Sequence, residues 1–138
     1  MDWKREIITL TELPEARERK LDSTFFPALT KSEIADWERT NETSLPADFR
    51  SFYLESNGME ASRGELQAVL PLEQCQILPD GCERPVPWLE FGRSQTHRYF
   101  VSLGESQTIY RVAEFGSDEE FFARNLREYF ANVFRGLN

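Results

Sequence analysis

The sequence predicts an α+β fold, a small and mostly antiparallel sheet packed with a helical hairpin and a C-terminal helix. Three observations point there. Residues 30–58 carry two helix starts with apolar residues at helical spacing. After Gly58 the apolar period changes from helical to alternating. From Ser117 the helical period returns and runs to Leu137. Helices and strands that are segregated along the chain in this way belong to layered α+β architectures.

The 138 residues suit one domain spanning 1–138, long enough to bury a core without staples. Residues 1–28 are the least patterned part. Trp3, Ile7, Ile8 and Leu10 or Leu13 read as a short helix or an extended edge, interrupted near Pro14. Residues 15–21 are rich in helix formers and read as a further turn or two. Phe25-Phe26-Pro27 then tucks against the core.

The next stretch is the best marked. Thr30 is an N-cap whose hydroxyl can accept from the first turn, and Glu33 three residues later completes a capping box. Leu29 and Ile34 are spaced as a hydrophobic staple. Ile34 and Trp37 share one face, while Lys31, Glu33, Asp36 and Glu38 are expected to point to water. The helix should fade in the polar run 40–44. Pro46 suits the start of a second helix, because its φ is preset and its missing N–H costs nothing there. Phe49, Phe52 and Tyr53 recur as a buried stripe, and Asn57-Gly58 is expected to stop the helix. Core packing accounts for all of these aromatics.

The order of these pieces, E-I-x-x-W-E, a gap, L-P-x-D-F-R-x-F-Y and then S-N-G, resembles the SUKH superfamily, the Smi/Knr-type domains. The matching positions are Ile34, Trp37, Glu38, Leu45, Pro46, Asp48, Phe49, Phe52, Asn57 and Gly58. The resemblance implies an α+β fold. It also implies an immunity protein that binds and neutralises the toxin domain of a bacterial polymorphic toxin system. A fungal branch that regulates cell-wall synthesis implies the alternative, a regulatory or scaffolding adaptor.

Beyond Gly58, strands are predicted over 65–70, 88–92, 99–103 and 108–115. Tyr99, Val101 and Leu103 share one face. In the following strand Ile109, Arg111, Ala113 and Phe115 alternate with Tyr110, Val112 and Glu114. The polar connection 104–107 is hairpin length, so these two strands should pair antiparallel. Residues 72–87 read as a long loop with a turn of helix over 72–77. The closing helix is predicted to begin at Ser117, with Glu120 completing a capping box and Asp118 and Glu119 against the helix dipole. Phe122, Leu126, Tyr129, Phe130, Val133 and Leu137 form its apolar stripe, to lie across the sheet.

Catalysis finds little support. His97 is the single histidine, and it sits in a polar turn where a surface or capping role suffices. There is no Gly-x-Ser-x-Gly elbow and no phosphate-binding Gly-x-x-x-x-Gly-Lys-Ser/Thr loop. Cys75 and Cys82 are seven apart with no Cys-x-x-Cys pattern or histidine cluster, so they read as two ordinary thiols, with a disulfide the alternative, and no zinc site is expected. Cys75 also lacks a basic neighbour to activate it as a nucleophile. No cofactor is implied. The N-terminus lacks an apolar leader and no apolar run is long enough for a membrane span, which places the protein in the cytoplasm.

Binding is the better reading. The formal net charge is −8, which repels nucleic acid and suits a basic protein partner. A nuclease toxin needs a cationic cleft, so an inhibitor presenting carboxylates there would mimic the substrate. Candidate partner-binding residues are Glu60 and Glu65, with Arg63 in the same loop, Glu105, Glu114 and the Asp118-Glu119-Glu120 cluster. Helix capping is the competing explanation for that last cluster, and a solvated face for the others. Trp88 is either core or an interfacial anchor, since tryptophan is enriched at binding hot spots.

Overall fold

The computed structural model describes residues 2–18, 23–61, 65–78, 86–104, 107–114, 116 and 118–135. Arg63, Cys82, Glu105, Phe115, Ser117 and Leu137 lie outside the described residues. Within them the chain is α+β, and its strands pair antiparallel throughout.

The N-terminal segment resolves as two helices, α1 (Trp3–Thr11) and α2 (Pro14–Glu18). Asp2 caps α1 by accepting from the Arg5 N–H at 3.1 Å. Trp3 and Ile7 are buried, and the Trp3 ring lies 5.9 Å from Phe130 and 6.2 Å from Phe52. The Trp3 indole also donates to Ser51 Oγ at 2.7 Å, so its one polar atom is satisfied.

Strand β1 (Thr24–Phe25) leads to α3 (Lys31–Thr40), whose capping box forms as the sequence predicts. Thr30 Oγ1 accepts from Glu33 N at 3.1 Å, and Glu33 Oε1 accepts from Thr30 N at 3.0 Å. The second helix of the pair, α4 (Ala47–Tyr53), follows Pro46 as its N-cap and buries Phe49, Phe52 and Tyr53.

Glu38 corrects the expectation of a solvated carboxylate. It accepts from the Leu45 N–H at 2.7 Å and from Arg50 at 2.8 Å, with its side chain 17% exposed. Residue 45 needs a partner for its amide where the α3–α4 connection turns inward, and Glu38 supplies it. A second correction concerns Asn57-Gly58. Helix α4 ends at Tyr53, four residues earlier, so the pair is no helix stop. Asn57 instead accepts from the Leu72 N–H at 2.9 Å and donates to Glu73 at 3.1 Å. Gly58 has φ +116°, and a Cβ there would sit 2.8 Å from the Val69 carbonyl.

The sheet runs β1, β2 (Met59–Ala61), β3 (Leu66–Val69), β5 (Trp88–Arg93), β6 (His97–Ser102), β7 (Ile109–Ala113) and β8 (Glu119–Ala123), with β4 (Gln76–Leu78) also pairing with β5. The stretch 72–87 was expected as loop with a helical turn. It contains a 3₁₀ turn over Leu72–Gln74 and then β4, which adds to β5 through Ile77 opposite Leu89. The β6–β7 hairpin forms as predicted, with Phe100 opposite Tyr110.

The main correction lies near the C-terminus. Residues 119–123 are a strand, not the first turns of a helix, and α5 spans Leu126–Phe134. Its cap is Asn125, whose side chain accepts from Glu128 N at 2.8 Å. Glu120 therefore completes no capping box. The physical reason is the open edge of β7, which offers a backbone ladder to residues 119–123, with Tyr110 opposite Phe121 and Val112 opposite Glu119. Phe122 satisfies either structure, because it faces the core both as a strand residue and as part of a helical stripe.

The core sits between one sheet face and the helices. Leu89, Phe91, Tyr99, Val101, Ile109 and Phe122 meet Leu126, Tyr129, Phe130, Val133 and Phe134 of α5. Each such side chain, fully buried, contributes roughly 1.5–3 kcal/mol relative to exposure. A smaller cluster of Trp88, Phe100 and Val112 covers the other sheet face, with Tyr110 stacked on Trp88 at 4.6 Å.

Candidate functional site

The antiparallel register decides which acidic residues become neighbours. Gln67 pairs with Arg93, Arg93 with Arg98, His97 with Ala113, and Val112 with Glu119. Glu65 just before β3, the 94–97 turn, Glu114 just after β7, and Asp118 and Glu119 at the start of β8 therefore share one end of the sheet. The Glu114 N–H donates to the Thr96 carbonyl at 2.7 Å, which ties two of these loops together. Neighbouring strands are about 4.8 Å apart, so the acidic rim from β3 to β8 spans roughly 19 Å. Glu65, Glu114, Asp118, Glu119 and Glu120 are exposed; Glu60, inside β2 opposite Gln67, is half-buried.

Trp88 is not part of this rim. It begins β5, at the far end from Arg93, is 6% exposed and packs on Tyr110.

Glu120 is held by a cation that spacing did not suggest. Arg111, one strand away in β7, approaches it at 2.7 Å through Nη2 and 3.2 Å through Nε. That hydrogen bond and the Arg111 charge hold the Glu120 carboxyl below its ordinary value. The guanidinium also lies 4.9 Å over the Phe122 ring. A negative rim is thus buttressed from beneath by a half-buried arginine.

Glu90 was missed as well. Its side chain is 5% exposed and takes Arg93 at 2.9 Å and Arg98 at 3.2 Å. The signal was there: a glutamate inside the apolar run Trp88–Arg93 must be paired if buried.

Two of the groups that chemistry could recruit are His97 and Cys75. His97 has the Thr96 hydroxyl against Nδ1 at 2.8 Å, and no carboxylate among the described residues orients it as a base. Burial and then the nearby Arg111 push its imidazole below the ordinary 6.5, with Glu120 opposing. It is neutral at neutral pH. Cys75 lies 3.3 Å from the Tyr53 hydroxyl, and burial pushes the thiol up to about 12. Among the described residues, no three His, Cys, Asp or Glu side chains are grouped to hold a metal ion. No helix there is long and apolar enough to cross a membrane.

The motif residues of α3, α4 and their connection lie mostly in the core. Ile34, Leu45, Phe49 and Phe52 are buried, Trp37 is half-buried against the same core, and Asp48 is half-buried in the first turn of α4.

No curated protein matches the chain. A family model described as the SMI1 / KNR4 family (SUKH-1) matches residues 28–132, from the segment before α3 into α5.

Proposed function

The chain belongs to the SMI1 / KNR4 family (SUKH-1), and from that premise we propose that it is a non-catalytic, single-domain immunity protein. It binds and neutralises a toxin domain of a bacterial polymorphic toxin system, in the cytoplasm where that toxin would act. Family membership supports a protein–protein role. The observation that carries the reading further is the exposed acidic rim at one end of the sheet, on a chain of net charge −8.

Such a rim suits a basic partner. A nuclease domain gathers cations around its cleft to hold phosphates, and carboxylates projecting from a rigid sheet end can occupy that place. Glu65, Glu114, Asp118, Glu119 and Glu120 are the contact residues in this reading, with Glu60 behind them. Neutralisation is steric and electrostatic, and it needs no reacting group.

The test is toxin rescue. A toxin domain found encoded next to this gene is to be expressed in cells with and without the protein, and the two proteins co-purified. Restored growth with stable co-purification is expected. Growth arrest that persists despite ample folded protein would remove the immunity reading.

A further inference from the structure

We propose that the groove between α1 and α5 is a binding site for a small amphiphilic anion, a carboxylate or sulfonate carried on an apolar body. The groove holds about 420 Å³. That falls within the range of about 300–1,000 Å³ typical of small-molecule sites, which are apolar cavities with a few placed polar groups. Its accessible apolar wall comes from the part-exposed Leu10 of α1 and Ala131 of α5, with the buried Ile7 and Phe130 packed behind them. Three arginines line it, Arg5, Arg127 and Arg135.

The charge balance is the unexpected part. The chain has 24 acidic against 16 basic residues, yet among the described residues this groove gathers three arginines and a single carboxylate. That carboxylate, Glu6, is engaged by Arg127 at 3.3 Å. Among the described residues neither Arg5 nor Arg135 faces an acid across the groove or makes an ion pair. Guanidiniums recognise carboxylate and sulfonate oxygens by paired N–H donors, and an apolar floor below them selects a ligand with a hydrocarbon or aromatic body. A nucleic acid is disfavoured, because the patch is short and the whole chain repels phosphate. The groove lies among the helices, apart from the acidic sheet end, so the inference stands independently of the immunity reading.

The experiment is a titration of the intact protein with anilinonaphthalene sulfonate, followed by displacement with sodium decanoate. Saturable 1:1 binding is expected, with competition by decanoate. The Arg5→Gln and Arg135→Gln variants should each weaken binding, by about tenfold for a lost charge-assisted contact. Ala131→Phe, which fills the groove from α5, should abolish it. Thermal melts accompany each variant; if one fails to fold, the other two and the decanoate competition on the parent protein still decide. The Phe121→Ser variant, which removes the exposed apolar residue of β8, should bind as the parent does. Binding unchanged in both arginine variants overturns the anion site. So does absence of saturable binding, loss of binding in Phe121→Ser, or binding to phosphatidylglycerol vesicles without any to free decanoate.

Discussion

The Tyr129 hydroxyl donates to the Ala68 carbonyl at 2.7 Å, joining α5 to β3 across 61 positions of sequence. Gly92 lies at the same spot: a Cβ there would stand 2.6 Å from that carbonyl and 3.0 Å from the hydroxyl. The three residues form one buried joint between the helix layer and the middle of the sheet.

Tyr129→Phe should therefore leave a buried carbonyl without its partner, at a cost of about 1–3 kcal/mol. Gly92→Ala should cost about as much or more, because backbone at 2.6 Å cannot give way as a side chain can. Urea unfolding of both variants and of the double mutant checks this. Additive losses would mean that the two sites do not share a joint.

Glu38→Ala removes the acceptor for both the Leu45 amide and the Arg50 guanidinium. A hydrogen bond to a charged group contributes about 1.5–3 kcal/mol, and the loss should fall in that range. A solvated surface glutamate would lose almost nothing, so denaturant midpoints separate the two possibilities.

Asn125→Ala should cost about 1 kcal/mol, as expected for loss of an N-cap. Amide exchange gives a sharper check. Residues 119–123 should exchange as an edge strand and 126–134 as a helix, and one continuous helical pattern from 118 onward would contradict the strand β8.

His97 should make stability fall on mild acidification. In the folded chain its imidazole resists protonation, while in the unfolded chain it titrates at its ordinary 6.5. Just below that value the unfolded state binds more protons, so stability drops as pH falls from 6.5 toward the native value. Glu120 acts at lower pH with the same sign, since its folded carboxyl titrates below its ordinary 4.5. Its contribution is present above 4.5 and lost as pH falls through the native value. Melting temperatures across pH should show the upper step in the parent protein and not in His97→Gln.

Association with a basic toxin domain should slow as salt rises, since the screening length shrinks from about 10 Å at 0.1 M to about 3 Å at 1 M. Reversing charge at the rim with Glu65→Lys and Glu114→Lys should lower the association rate far more than it raises the dissociation rate. Stopped-flow rates that ignore both salt and these substitutions would end the electrostatic part of the proposal.

Much of this architecture was legible because it rests on local chemistry. The Thr30–Glu33 box, the Pro46 start and the aromatic stripe of α4 act within a few residues, and each formed where its pattern put it. The β6–β7 hairpin was legible for the same reason, two alternating runs on a short connection. Asn57 and Glu38 were misread because their partners, Leu72 and Leu45, are backbone amides that no side-chain pattern marks.

The amino-acid sequence determined the fold class, helices α3 and α4, the central hairpin and the acidic balance, since period and capping are properties of neighbouring residues. Tertiary structure decided what becomes of 119–123, because Phe122 faces the core either as strand or as helix and the free edge of β7 chose the strand. It also assembled the acidic rim and the Arg111–Glu120 pair, for strand register brings together side chains that sequence distance keeps apart.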